Sequence, residues 1–189
     1  DEIFAFTPKG RVIALPVQAT PVDFAYAVHT EIGHSCMGAR VNGRLVPLDT
    51  VLNSGDTVEI LTSTAESAEP SEEWMNFVAS PKAKSKIKQW VSRERIDDLV
   101  ENGHDDLVEA LRREGVPVQK VLDSEIFTQE IESMNYSDAP ALFLAISEGH
   151  VQADAIAMRI AKAIRSGPDG ERLSIGTRNF VQNESSDQQ

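Results

Sequence analysis

The sequence predicts an α+β chain: a small mixed sheet crossed by one helix, followed by an all-α region. Three observations carry this. Residues 1–63 are filled by short alternating segments separated by glycine-containing turns and interrupted once by a capped helical stretch. Residues 64–72 are polar and without apolar period, and read as a linker. From Trp74 to about Arg165 apolar residues recur at spacings of three and four, as in helices packed on a core.

Taken in order, Ile3-Phe4-Ala5-Phe6 alternates, Pro8-Lys9-Gly10 supplies a turn, and Arg11-Val12-Ile13-Ala14-Leu15 returns; this is a first hairpin. A helix follows over Thr20–His34. Thr20 is a suitable N-cap, Pro21 suits the first helical position and Asp23 makes the first turn acidic. Val22, Ala25 and Val28 form its apolar stripe, and Gly33 is expected to end it. Strands resume at Gly38–Val41, turn at Asn42-Gly43, return through Arg44-Leu45-Val46, turn again at Asn53–Asp56, and end with Thr57–Thr62. The order ββαβββ, with one helix across one face of the sheet, is a β-grasp (ubiquitin-like) arrangement. The expected organisation is therefore a β-grasp domain at 1–63, a linker at 64–72 and a helical domain at 73–166, with helices near 72–79, 81–96, 104–114, 124–134, 138–147 and 151–165. The tail at 167–189 turns to Gly, Asn, Ser, Asp and Gln and is expected to be disordered.

Composition bounds the function. Hydrophobic residues make up 41% and charged residues 25% of the 189, which is ordinary for a globular chain. Aromatics are only 6%, so the cores rest on Val, Ile, Leu and Ala. The formal net charge of −12 argues against a chain that binds nucleic acid over its whole surface and directs attention to local clusters. The single cysteine, Cys36, precludes an internal disulfide and fits a reducing compartment. There is no apolar run of membrane-spanning length. The chain enters a strand pattern directly at Asp1 and is read as a piece of a longer soluble protein of the cytoplasm.

No catalytic motif emerges. The sequence carries no Walker loop and no Gly-x-Gly-x-x-Gly, and its carboxylates read as solvated helix faces rather than paired acids. His29, His34 and Cys36 lie close in sequence but lack the further ligands a metal centre needs; neither a metal nor a cofactor is expected. Two features remain. Lys82, Lys84, Lys86, Lys88, Arg93 and Arg95, opposed only by Glu94, flank an apolar stripe of Ala83, Ile87, Trp90 and Val91 at about 100° per residue. This is either a solvated amphipathic helix whose lysines snorkel or a surface that tracks phosphates within an otherwise acidic chain. The other feature is His29, near the helix end. It is either a residue favoured by the helix dipole or a ligand contact, and spacing does not separate the two.

The strings Phe6-Thr7-Pro8-Lys9-Gly10, Thr20–His34, Val41–Asp49, Ser54–Thr62 and Trp74-Met75-Asn76-Phe77 through Trp90 resemble the long RelA/SpoT homologues, the stringent-response enzymes that make and degrade (p)ppGpp. The resemblance covers the TGS domain and continues into the helical domain after it. It implies a non-catalytic regulatory fragment, because the family's catalytic domains lie upstream of the TGS domain. It further implies that the fragment senses the 3′ CCA end of uncharged tRNA on the stalled ribosome and controls the catalytic domains of the same chain. By this resemblance His29, with Gly33 and His34, corresponds to the tRNA 3′-end site. Lys82, Lys84, Lys86, Lys88 and Arg93 correspond to the basic helix that follows tRNA and ribosomal RNA. The family often carries Arg where this chain has Ser35; Arg40 and Arg44 are the compensating candidates. The alternative expectation is an intramolecular or protein-interaction module that restrains the catalytic half without touching tRNA.

Overall fold

The computed structural model describes residues 1–65 and 68–167; the tail expected from 167 onward lies, after Gly167, outside the described residues. The chain divides into two compact units, Asp1–Glu94 and Arg95–Gln189.

In the first unit β1 (Glu2–Phe6) pairs antiparallel with β2 (Val12–Pro16), and the turn between them is made possible by Gly10 at φ +85°. Two helices follow, α1 (Pro21–Val28) and α2 (Thr30–His34). Then come β3 (Cys36–Val41), β4 (Arg44–Val46) and β5 (Val58–Thr62), with β3 central and antiparallel to both neighbours. Asn42 and Gly43 both adopt positive φ, the conformation of a two-residue hairpin whose twist matches its strands. A parallel bridge between Phe6 and Thr57 joins the two ladders. The strand order is therefore β2-β1-β5-β3-β4, the β-grasp arrangement.

α1 is buried on both sides. Val22, Ala25 and Tyr26 pack with Cys36, Trp74, Val78, Ala83 and Ile87, while Phe24 packs with Ala5, Ile13, Leu15, Leu52 and Val58 beneath the sheet. The first unit thus continues past the polar stretch at 64–72 through a 3-10 turn, Glu72–Asn76, into the start of α3 (Pro81–Arg113).

Asp23 ties these pieces together. It is fully buried. Its carboxylate accepts from the Thr20 N–H at 2.8 Å, the Thr20 hydroxyl at 3.0 Å, the Ala79 N–H at 3.0 Å and the Ser80 N–H at 2.8 Å. One side chain caps α1 and also holds the two residues that lead into α3.

Three expectations are corrected. The stretch Thr20–His34 is not one helix: His29 is extended, at φ −165° and ψ 146°, and separates α1 from α2. Gly33 does not end a helix. It lies buried inside α2, where a Cβ would overlap the Tyr26 ring, so its missing side chain serves close packing. The segments 81–96 and 104–114 are a single helix of 33 residues that runs through Gly103, where the Phe143 backbone occupies the space a Cβ would fill.

The second unit carries the rest of α3 with α4 (Val118–Leu122), α5 (Glu125–Ser133), α6 (Ala139–Ser147) and α7 (Ala153–Ser166). Its core gathers Leu107, Leu111, Val121, Phe127, Ile131, Leu142, Phe143, Ile156, Ile160 and Ile164. Arg159 to Glu130 at 2.7 Å and Arg113 to Asp154 at 2.6 Å link exposed faces of neighbouring helices.

Candidate functional site

The α1–α2 junction is the most unusual local feature of the first unit. At His29 the backbone N–H still donates to the Ala25 carbonyl, at 3.2 Å, and closes α1. The imidazole then caps α2, its Nδ1 accepting from the Glu31 N–H at 3.0 Å. Histidine here does the work of the Ser, Asp or Asn usual at an N-cap. Because Nδ1 accepts, the neutral ring carries its proton on Nε2. His29 is exposed, so this Nε2–H is a donor available to an incoming oxygen.

His34 sits differently. It is half-buried, its Nδ1 lies 3.0 Å from the Tyr26 hydroxyl, and the two rings meet edge to face at 5.4 Å. Tyr26 is fully buried, and burial raises its hydroxyl pKa. A buried hydroxyl with one partner does best by donating, which again leaves the histidine proton on Nε2. Burial lowers the His34 pKa; Arg93 and Lys86 lower it further, against an opposing effect of Glu31.

The cations fall into two groups. Lys82, Lys84, Lys88 and Arg93 are exposed along α3, and Lys86 is half-buried. Ala83 and Ile87 beneath them are fully buried, so the amphipathic division expected of this helix is realised. Among the described residues none of these five cations has an ion-pair partner. Arg40 and Arg44 lie instead on β3 and β4, and Arg40 faces Glu59 at 3.8 Å. They are not part of the α3 row.

Two cavities open between α2 and the start of α3, both within the first unit. One, of about 490 Å³, is lined by Glu31, His34, Ser35, Trp90, Arg93 and Glu94, with residues 68–70. The other, of about 230 Å³, is lined by Thr30, Glu31, His34, Lys86, Gln89, Trp90 and Arg93. Of the expected 3′-end residues, His34 faces these cavities; Gly33 is buried under Tyr26, and His29 lines neither. The basic row contributes Lys86 and Arg93. Ser35 lines the larger cavity, and its hydroxyl donates to the Glu31 carbonyl at 2.6 Å.

Sequence reasoning singled out neither Glu31 nor Tyr26, read Asp23 only as a first-turn acid, and placed Trp90 in the core stripe. Trp90 is half-buried at the stripe's edge and lines both cavities. Its position three residues before Arg93 and four after Lys86, on one helical face, was the available signal. Cys36 is a core residue, 2% exposed, with its thiol pushed up to about 11 by burial, and is unsuited to act as a nucleophile. Among the described residues no three of His, Cys, Asp and Glu converge as metal ligands, and no helix is long and apolar enough to cross a membrane.

Comparison with known proteins adds the following. Residues 3–62 match the TGS domain family. The GTP pyrophosphokinase of Streptomyces coelicolor is 52% identical over 164 residues, which is 87% of this chain and 19% of that protein. The bifunctional (p)ppGpp synthase/hydrolase RelA of Mycobacterium tuberculosis is 51% identical over 159 residues, 84% of this chain and 22% of that protein. The bifunctional (p)ppGpp synthase/hydrolase SpoT of Escherichia coli is 42% identical over 167 residues, 88% and 23%. The chain therefore spans about a fifth of the length of the curated relatives it matches.

Proposed function

The chain belongs to the RelA/SpoT homologues, and from that membership we propose that it is the regulatory region of a (p)ppGpp synthetase/hydrolase that detects the 3′ CCA end of uncharged tRNA on the stalled ribosome. In this reading the region itself carries no chemistry; it controls catalytic domains of the same protein in the cytoplasm. The observation that carries it is the exposed His29, whose capping bond leaves an Nε2–H for a sugar or phosphate oxygen. Lys82, Lys84, Lys86, Lys88 and Arg93 supply the second support. Five cations without an ion-pair partner among the described residues, in a chain of net charge −12, suit a polyanion held locally and repelled elsewhere. Arg40 and Arg44 are assigned a lesser part on the sheet. Selection of the uncharged end follows if the terminal ribose is closely enclosed, since a bare hydroxyl fits where an esterified amino acid clashes. The test is a titration of the chain with labelled tRNA, deacylated and aminoacylated, at one fixed salt. Tighter binding of the deacylated form is expected; equal binding of both overturns the reading.

A second reading is favoured by a different observation. Phe4 and Val12 are exposed on the neighbouring strands β1 and β2 at 48% and 53%, an apolar pair suited to a protein partner such as the catalytic half. Charge reversal at the exposed Asp97 and Asp98 that releases synthetase control while tRNA binding stays intact supports this reading over the first.

A further inference from the structure

The two cavities beside α2 share Glu31, His34, Trp90 and Arg93, and the groups around them are chemically unequal. The smaller holds two cations, Lys86 and Arg93, against one carboxylate, Glu31. The larger holds Arg93 against Glu31, Glu69 and Glu94. A single phosphate is therefore favoured in the smaller cavity, and a chain of phosphates is disfavoured across the pair. Trp90 borders both, is half-buried and has no ring partner among the described residues; an indole lining a cavity is a group on which a flat ring can stack. Glu31 also borders both, and its carboxylate has no ion-pair partner among the described residues; two acceptor oxygens suit the vicinal hydroxyls of a ribose. The larger cavity, about 490 Å³, lies in the range of small-molecule sites, roughly 300–1,000 Å³.

We propose that this cavity pair binds one nucleotide, its base on the Trp90 indole, its phosphate between Lys86 and Arg93, and its ribose hydroxyls on the Glu31 carboxylate. The nucleotide is either the last residue of an RNA strand or a free nucleoside monophosphate. For the RNA source the inference rests on the tRNA-end reading; for the site itself it does not. His29 is then not the sole contact with the 3′ end: a residue outside the TGS domain, Trp90, reads the terminal base.

Calorimetric titration of the whole chain tests this, with AMP, CMP, ribose 5-phosphate, ATP, and a short RNA ending in CCA with a free or a phosphorylated 3′ end. AMP or the free-ended RNA is expected to bind, with ribose 5-phosphate and ATP each about tenfold weaker than AMP. Trp90→Ala is expected to weaken binding about tenfold, as loss of one stacked base does, and Trp90→Phe to restore most of it. Glu31→Gln is expected to abolish the preference for AMP over its 2′,3′-dideoxy counterpart. Binding of the RNA without AMP assigns the site to an RNA end, and binding of AMP without the RNA assigns it to a free nucleotide. Saturable binding of neither, or ribose 5-phosphate binding as well as AMP, overturns the proposal. Parallel titration with deacylated and aminoacylated tRNA separates the two ideas. Selectivity for tRNA without nucleotide binding removes only this proposal, and nucleotide binding without tRNA selectivity removes only the functional reading.

Discussion

His29 has one observed job and one proposed one, and the two must be separated before any variant of it is interpreted. Its ring caps α2 through Nδ1 and, in the functional reading, meets RNA through Nε2. His29→Ala removes both and is expected to cost about 1 kcal/mol of stability, the usual loss for an N-cap. His29→Asn keeps a capping oxygen and is expected to cost less than half of that in urea unfolding, so it is the cleaner probe of binding. His34 carries a different prediction. Its pKa is lowered in the folded chain, by burial first and then by Arg93 and Lys86, so below the unfolded value of about 6.5 the unfolded chain binds more protons than the folded one. Stability should therefore fall as pH drops from about 7 through 6, and His34→Gln should flatten that slope. A slope unchanged in His34→Gln assigns it to other groups. Neither the capping role of His29 nor the bond of His34 to Tyr26 was legible in the sequence. Spacing put His29 at a helix end but gave no means to see a break, because no Gly or Pro stands there; Gly33, which looked like the terminator, is needed for contact with Tyr26.

At the scale of elements, the turns were the most readable part, since Gly10, Asn42, Gly43 and Gly55 take positive φ for reasons that are local to each turn. The helices were less so. Residues 97–103 fall between two expected helices and include Asp97, Asp98, Asn102 and Gly103, which are poor helix formers, yet α3 runs through them. Local propensity lost there to tertiary packing: Ser147 donates its hydroxyl to the Leu99 carbonyl, and the Phe143 backbone presses against Gly103. Gly103→Ala, which would raise helix propensity in isolation, is therefore expected to destabilise the protein by about 1–3 kcal/mol through overpacking, measured by thermal unfolding. A rise in Tm would show that the close approach to Phe143 is dispensable. Asp23 shows the same limit. It read as a first-turn acid, and nothing in its local sequence revealed that it also holds Ala79 and Ser80, 56 and 57 residues away.

Over the whole molecule, the α+β class and the succession of strands followed from hydrophobic period and turn signals, whereas the reach of the first unit did not. The polar stretch at 64–72 separates two kinds of sequence, but Trp74, Val78, Ala83 and Ile87 return to cover α1. A chain ending after Ser63 would expose Val22, Ala25 and Tyr26, all buried in the intact chain, and leave Asp23 without two of its donors. It is expected to unfold at lower urea than a chain ending after Glu94; equal midpoints would show that residues 72–94 contribute nothing to that core. The same packing brings α3, with Lys86, Trp90 and Arg93, beside His34, so the candidate site is assembled from segments that composition assigned to different domains. The central claim of the functional reading is that the first unit, through the exposed His29 at the α1–α2 junction, distinguishes a free tRNA end from an esterified one. Its most direct measurement is the ratio of Kd values for aminoacylated and deacylated tRNA, in the parent chain and in His29→Asn at equal salt. The account predicts a ratio of about ten or more in the parent, equivalent to about 1.4 kcal/mol, falling toward one in His29→Asn while the fold remains intact. A ratio of one in the parent, or a ratio that His29→Asn leaves unchanged, would contradict it.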